Sequence, residues 1–326
     1  METNSKLNFD KAKLNDILTV SSTPHLKTNK TTQKIMLDVI IAMLPAGIAA
    51  VYFFGIRSLI LIGVAVAASV LSELIYEKIL KKPITISDLS AVVTGILIAF
   101  NVPVSLPLPM VILASVFAII VVKQWFGGIG SNFMNPALAA RAFLMASWPQ
   151  EMGAFPAAKA TNVFISSATP LQGGPVPSLL DAFIGNLGGS LGEVSALALL
   201  IGAAYLLIRG VITLRIPLAF LLSASVLFVV TGTPISEVPL QLLLGGIILG
   251  AFFMATDYSS TPITPLGQII FGLGCGILTV IIRVFGPMPE GVSYSILIMN
   301  IAAPFIEKMT KPKVFGVEVE KNERNA

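Results

Sequence analysis

Charged residues are scarce in this chain. Only 12% of the 326 residues are Asp, Glu, Lys or Arg, whereas 55% are hydrophobic and the mean hydropathy is +0.88. One soluble core cannot bury that much apolar surface, so we expect most of the chain to face lipid. The Lys and Arg residues form short clusters between apolar runs rather than one polar face, which argues against nucleic acid as a partner despite the net charge of +4.

The residues that bind metals are also nearly absent. The chain has one cysteine, Cys275, and one histidine, His25. These are too few to ligate an iron–sulfur cluster, a structural zinc ion or a bis-histidine haem within this chain. We therefore predict no metal site and expect any redox group to be organic. Because it lies among Gly272, Gly274 and Gly276, Cys275 is interpreted as a small packing residue where helices approach closely.

Long apolar runs predict an all-α polytopic membrane protein with about ten transmembrane helices. A membrane-crossing helix needs roughly 20 apolar residues, and fewer where it is broken inside a bundle. The ten candidates are Ile35 to Phe54, Arg57 to Leu80, Asp88 to Asn101, Met110 to Gln124, Asn135 to Trp148, Gly192 to Arg209, Ile216 to Thr231, Leu240 to Thr256, Pro265 to Phe285 and Val292 to Lys308.

Positive charge predicts the orientation, because Lys and Arg near helix ends stay on the cytoplasmic side. With both termini in the cytoplasm, 17 of the 21 Lys and Arg residues fall on cytoplasmic segments. Only Arg57, Lys159 and Arg283 lie outside, and Arg141 falls within a span. The first 34 residues lack the apolar core of a signal peptide, so the first helix is expected to direct insertion.

Two halves of the chain resemble each other. Lys123–Gly127, followed by Asn135–Ala137, is echoed by Arg283–Gly286, followed by Asn300–Pro304. Gly95–Phe100 is echoed by Gly246–Phe252. Five helices per half would place the second half upside down, which predicts two inverted five-helix repeats with short broken helices. The alternative is a chance recurrence of Gly and Pro. The predicted divisions are a cytoplasmic tail (1–34), the first repeat (35–148), an outer-face loop (149–191), the second repeat (192–309) and a cytoplasmic tail (310–326).

Two short candidate helices are the expected place for a site, since a half-helix exposes backbone groups at mid-membrane depth. They run from Asp88 to Asn101 and from Asn135 to Trp148. A glycine-rich loop leads to Asn135 and Pro136, where a carboxylate, a phosphate or a polar ring edge would dock; alternatively, Asn135 only caps the helix.

Charged residues within the spans need an explanation. Arg141 lies inside an apolar helix and requires a partner or an aqueous cavity, unless it snorkels outward. Four acidic residues near predicted cytoplasmic helix ends are interpreted as caps or solvated groups rather than ion ligands. They are Asp38, Glu73, Asp88 and Asp257.

The predicted outer loop contains the segment Ser166–Leu171. Taken alone, its small polar residues and Pro170 indicate an ordinary turn around Thr169. However, Ser-x-Ala-Thr-Pro-Leu resembles the flavinylation site of the family that contains the D-type subunit of the Rnf ion-translocating oxidoreductase complex and the B-type subunit of the sodium-pumping NADH:quinone oxidoreductase. The segments Asp88–Gly95, Phe126–Ala137 and Gly250–Asp257 resemble the same family. The chain lacks the long N-terminal extension of the quinone-reducing member, which favours the Rnf member.

The resemblance implies two flavins. One is FMN, joined by a phosphoester to Thr169 by a flavin transferase on the outer face. The other is riboflavin, bound non-covalently in the membrane at the positions that match Thr94, Asn132 and Asn135, with Arg141 as a further contact to flavin.

The implied function is electron relay across the membrane of a prokaryotic cell. The chain would be one subunit of a ferredoxin:NAD oxidoreductase that moves Na⁺ or H⁺, not catalytic alone, with iron–sulfur and flavin subunits and membrane lipid as partners. NAD is expected to bind elsewhere, because no GxGxxG follows a strand and opens a helix. The alternatives are a passive inverted-repeat channel or transporter for a small polar solute and an assembly scaffold without a cofactor.

Overall fold

The computed structural model describes residues 31–155, 177–185, 188–286 and 291–312, and within these ranges the chain is helical, without a strand. In chain order the helices are α1 (Thr32–Phe54), α2 (Ile56–Ile79), α3 (Ser90–Phe100), α4 (Leu108–Val116), α5 (Pro136–Ser147), α6 (Pro149–Met152), α7 (Leu179–Ile184), α8 (Ala196–Ile208), α9 (Arg215–Val230), α10 (Val238–Leu243), α11 (Ile247–Leu249), α12 (Pro265–Phe285) and α13 (Val292–Thr310). A 3₁₀ turn spans Ile86–Asp88, and π-helical segments extend α4 over Phe117–Gln124 and α11 over Gly250–Met254.

Three helices, α1, α2 and α12, are long and apolar enough to cross a membrane, and five shorter apolar helices accompany them. The 23 residues of α1 extend about 34 Å, which exceeds the roughly 30 Å hydrocarbon core of a bilayer. Large apolar side chains lie exposed on the outer faces of these helices, including Ile48, Ile75 and Val226. A face of this kind is stable in lipid, so the chain is a membrane protein with several apolar helices.

Glycines bring helices into close contact. A Cβ atom on Gly95 of α3 would lie 2.7 Å from the Cα of Val66 in α2, and one on Gly276 of α12 would lie 2.5 Å from the carbonyl oxygen of Phe220 in α9. Cys275 is fully buried beside this second contact, as predicted for a packing residue. Small residues at such crossings are typical of membrane helix packing.

The predicted span from Leu240 to Thr256 is wrong as a single helix. It is broken between α10 and α11, where Gly245 and Gly246 adopt positive φ angles of 65° and 72°. The guanidinium of Arg283 donates hydrogen bonds to the carbonyl oxygens of Leu244 and Gly245 at 2.9 and 3.0 Å. Because a side chain satisfies these carbonyls, the break is stable inside the bundle.

Both short helices predicted from the sequence are present. α3 has 11 residues and α5 has 12, and both are largely buried. The segment 149–191 is predicted as a loop, and its described part contains α6 and α7.

Candidate functional site

A cavity lies among α1, α3, α5 and the π-helical segment of α11. Its interior has a volume of about 100 Å³ and opens on one side. Small-molecule sites typically have mostly apolar walls with a few polar groups. The apolar wall here includes Val93, Leu97, Leu206, Phe252 and Phe253, and the polar side chains at its surface include Ser90, Thr94, Lys123, Asn132, Asn135 and Asp257.

Thr94 reaches the cavity from α3. Its hydroxyl donates to the carbonyl oxygen of Ser90 one turn earlier at 3.0 Å, so the hydroxyl oxygen can still accept a hydrogen bond from a ligand. α3 begins after Leu89, which has φ 64°. Asp88 lies one residue before the N-cap Leu89, and its carboxylate accepts from the backbone N–H of Ser90, the first residue of α3, at 2.8 Å.

Asn135 lines the cavity and also caps α5. Its Oδ1 accepts from the N–H groups of Ala137 and Leu138 at 3.0 and 3.3 Å, and Pro136 occupies the first helical position. Its Nδ2 donates to the carbonyl oxygen of Met254 at 3.4 Å. The capping interpretation is therefore confirmed, and the same side chain joins α5 to the π-helical segment that follows α11.

Asn132 ends the glycine-rich loop before α5. Gly127, Gly128 and Gly130 all have positive φ angles, which the turn requires and which glycine adopts without strain. The Nδ2 of Asn132 donates to the carbonyl oxygen of Met134 at 3.0 Å. This local bond fixes the side chain at the cavity wall.

Asp257 lines the cavity on the loop between Met254 and α12. Its carboxylate accepts hydrogen bonds from the hydroxyl groups of Ser259 and Ser260, both at 3.0 Å. Desolvation raises the pKa of this carboxyl group, and the hydrogen bonds from Ser259, Ser260 and Asn132 oppose that shift.

Lys123 lines another part of the wall and belongs to a buried ion pair. The Nζ of Lys123 lies 2.6 Å from Oε1 of Glu73 and 2.6 Å from the hydroxyl oxygen of Ser90. Gln124 donates to the same Glu73 oxygen at 2.7 Å. The prediction of Glu73 as a cap or solvated group is wrong, because α2 continues to Ile79 and holds this carboxylate fully buried inside the bundle.

Arg141 has the buried partners that its position in an apolar helix requires. Its Nη1 lies 3.0 Å from Oδ1 of Asn101 and 3.3 Å from Oε1 of Glu193. The side chain is 4% exposed, so outward snorkelling is excluded. Arg141 does not line the cavity that Thr94, Asn132 and Asn135 share.

Two residues that contact the site residues are not evident from the sequence. Glu193 was not singled out, although an acidic residue in an apolar segment is the partner that a buried Arg needs. Asn300 appeared only in the repeat comparison. With its amide nitrogen turned towards Ser260, it donates to the Ser260 carbonyl at 3.1 Å and accepts from the N–H of Asn135 at 3.1 Å.

Both π-helical segments contribute to the cavity. Phe117–Gln124 supplies Lys123, and Gly250–Met254 supplies Phe252 and Phe253. π-Helical turns occur frequently at functional sites. Their presence on two walls of one cavity favours a binding role for it.

Thr169 lies outside the described residues, so its surroundings are not described. Within the described ranges, no group of three or more His, Cys, Asp or Glu side chains could hold a metal ion. The structure thus brings together Thr94, Asn132 and Asn135 in one cavity, and places Arg141 in a separate network with Glu193.

Comparison with known proteins identifies the family. The family model described as NQR2, RnfD, RnfE matches residues 19–316. The chain is 50% identical over 317 residues to the D subunit of the Na(+)-translocating ferredoxin:NAD(+) oxidoreductase complex of Acetobacterium woodii, and the match covers 95% of this chain and 98% of that relative. It is 39% identical to the D subunit of the proton-translocating ferredoxin:NAD(+) oxidoreductase complex of Clostridium ljungdahlii, over 92% of this chain and 97% of that relative. This chain therefore belongs to the NQR2, RnfD, RnfE family.

Proposed function

We propose that this chain is a membrane flavoprotein subunit of an Rnf-type ferredoxin:NAD⁺ oxidoreductase complex and relays electrons across the bilayer. The similarity to two complex subunits over more than nine tenths of the chain supports this function. The transported ion is Na⁺ or H⁺, since one of these relatives is named for each ion. The chain acts only with the iron–sulfur and flavin subunits of the complex.

The cavity lined by Thr94, Asn132 and Asn135 is the observation that carries the proposal. A flavin ring has two apolar faces and a polar edge, and the cavity combines Phe252 and Phe253 with these three polar side chains. The apolar and polar groups of the described lining therefore suit the chemistry of the riboflavin ring. A bound flavin supplies chemistry that accepts one or two electrons, and the protein's part is to orient it and exclude water.

A second, covalent flavin is proposed at Thr169. The support is the Ser-x-Ala-Thr-Pro-Leu match in the same chain as the family match. A flavin transferase on the outer face would join the phosphate of FMN to the Thr169 hydroxyl. A covalent bond there would keep the cofactor from being lost outside the cell.

The proposed architecture is two inverted repeats of five membrane segments, with both termini in the cytoplasm and Thr169 outside. Equivalent residues in the two halves support it. Leu89 and Gly246 both precede a broken helix with positive φ angles. Lys123 and Arg283, which the sequence comparison paired, each donate to the segment at the start of that helix: to Ser90 and to Gly245.

The covalent flavin is tested on a denaturing gel. When the chain is co-expressed with a flavin transferase, its band should fluoresce under ultraviolet light, and Thr169→Ala should abolish the signal. Ser167→Ala is the matched control and should keep it. A dark wild-type band, or a fluorescent band in Thr169→Ala, would contradict the proposal.

The non-covalent flavin is tested by acid extraction of the purified chain. We expect riboflavin in the extract of the wild type and much less in Asn135→Leu. Because that change also removes a helix cap, which costs about 1 kcal/mol, Thr94→Val serves as a second variant that keeps the side-chain volume. A normal riboflavin content in both folded variants would contradict the proposed binding of riboflavin in this cavity.

A further inference from the structure

The open side of the cavity is marked by the exposure of its lining. Among the described residues that line it, only two are exposed, Ile129 at 41% and Tyr258 at 56%, and the others are buried or half-buried. A residue that lines a cavity and is also exposed lies at its mouth. These two side chains therefore stand where a ligand enters and leaves.

Tyr258 reaches from one wall of this mouth to another. Its backbone lies in the loop between Met254 and α12, where Asp257 and Ser259 on either side of it also line the cavity. Its hydroxyl group donates to the carbonyl oxygen of Val211, which lies between α8 and α9 and lines the cavity as well. The phenol ring is thus anchored at both ends on the open side.

The two anchors of Tyr258 differ in strength. At the backbone end, the carboxylate of Asp257 accepts from the hydroxyl groups of Ser259 and Ser260 at 3.0 Å, which fixes the loop. At the other end, one hydrogen bond ties the phenol to Val211. The net contribution of a typical hydrogen bond corresponds to about a fivefold change in an equilibrium, so the ring can swing away from Val211 while the loop stays folded.

Ile129 reaches the same mouth from the glycine-rich loop before α5. Gly128 and Gly130 on either side of it have φ angles of 93° and 84°, which glycine adopts without strain. The mouth therefore carries an isoleucine side chain and a phenol ring, and both can shield apolar ligand surface from water. Of the two, Tyr258 is the one that a hydrogen bond ties to another part of the wall.

We infer that Tyr258 covers the mouth of the flavin cavity and, through its hydrogen bond to Val211, sets the rate at which the non-covalent flavin enters and leaves. The inference rests on the proposed riboflavin site and deepens it, because a cofactor without a covalent bond is retained only by slow release. A cover slows both entry and exit. A residue that merely contacts the bound flavin slows exit alone, so the two rate constants together distinguish these roles.

The experiment uses the purified full-length chain in the Thr169→Ala background, so that no covalent FMN interferes. The chain is loaded with radiolabelled riboflavin and chased with an excess of unlabelled riboflavin, and the label that survives desalting over time gives the release rate. Uptake of labelled riboflavin by the flavin-depleted chain gives the entry rate. Tyr258→Phe keeps the ring and loses the hydrogen bond, and it should raise both rates about fivefold. Tyr258→Ala removes the cover and should raise both rates by at least as much.

Tyr205→Phe is the matched control, because the Tyr205 hydroxyl also donates a hydrogen bond, to Asp38, but Tyr205 does not line the cavity. It should leave both rates unchanged. Faster release with unchanged entry in the two Tyr258 variants would show that Tyr258 only contacts the bound flavin. Unchanged release and entry in both would show that Tyr258 does not cover the mouth, and either result overturns the inference while the flavin site stands. If the wild type retains no labelled riboflavin, the proposed cavity site itself fails, and the cover fails with it.

Discussion

Lys123 and Glu73 form an ion pair that is almost fully shielded, with 4% and 0% of their side chains exposed. Removing one partner of a buried pair leaves an uncompensated charge and typically costs about 3–5 kcal/mol. We expect Lys123→Met to lower the free energy of unfolding by this amount, and Lys123→Met combined with Glu73→Gln to lose less. Thermal unfolding followed by circular dichroism in detergent measures both.

The Asp38 and Arg209 pair is the matched comparison. Its Arg209 side chain is 55% exposed, and pairs of that kind contribute about 0–1 kcal/mol. Arg209→Gln should therefore change the unfolding temperature little. Equal losses from Lys123→Met and Arg209→Gln would show that burial of the first pair does not matter.

The cavity residues illustrate what a sequence can predict at this scale. Thr94, Asn132 and Asn135 were identified because short motifs match a family, and the structure places all three at one cavity. Glu193 and the burial of Glu73 were not predicted. A contact between Arg141 and a residue 52 positions later depends on how helices pack, which local spacing does not encode.

Helix crossings are where single glycines matter. A Cβ atom on Gly202 of α8 would lie 2.0 Å from the carbonyl oxygen of Ala42 in α1. Both helices contribute residues to the cavity. Because backbone atoms cannot move aside easily, we expect Gly202→Ala to destabilise the protein by about 1–3 kcal/mol in thermal unfolding.

Gly63 gives the control for this element. It lies in α2 with no atom within 4 Å of the place that an added methyl group would occupy, and its surface is exposed. Gly63→Ala should be neutral or stabilise by up to about 1 kcal/mol, because alanine has the higher helix propensity. If Gly202→Ala were equally stable, the close approach of α1 and α8 would be contradicted.

At the scale of elements, most helices followed from apolar runs and their caps. Asn135 before Pro136 marked the start of α5, and Thr264 before Pro265 does the same for α12, where the Thr264 hydroxyl accepts from the N–H of Gly267. The break before α11 was missed although Gly245 and Gly246 are visible in the sequence. Glycine is also common at membrane helix contacts, so only the carbonyls bound by Arg283 distinguish a break from a crossing.

In the whole molecule, some of the buried polar groups lie where the two halves of the chain meet. The backbone N–H of Asn135, before α5, donates to the side-chain oxygen of Asn300 in α13, and Nδ2 of Asn101, after α3, lies 3.6 Å from the sulfur of Met254 beside α11. Segments paired in the sequence comparison thus contact each other directly. An arrangement of this kind can hold a ligand between the two halves of the chain. Membrane proteins with inverted repeats typically have their binding sites at this interface.

The proposed topology makes a prediction for the whole chain. Five spans before the segment 149–191 would put Ser178 outside, and two spans would put Lys81 in the cytoplasm. In a Cys275→Ala background, Ser178→Cys should react with a membrane-impermeant maleimide in intact spheroplasts, because Ser178 is exposed. Lys81→Cys, also exposed, should react only after the membrane is permeabilised. Labelling of both positions from outside would contradict an odd number of spans between them. Labelling of Lys81→Cys alone from outside would place both termini outside and the flavin-bearing loop in the cytoplasm.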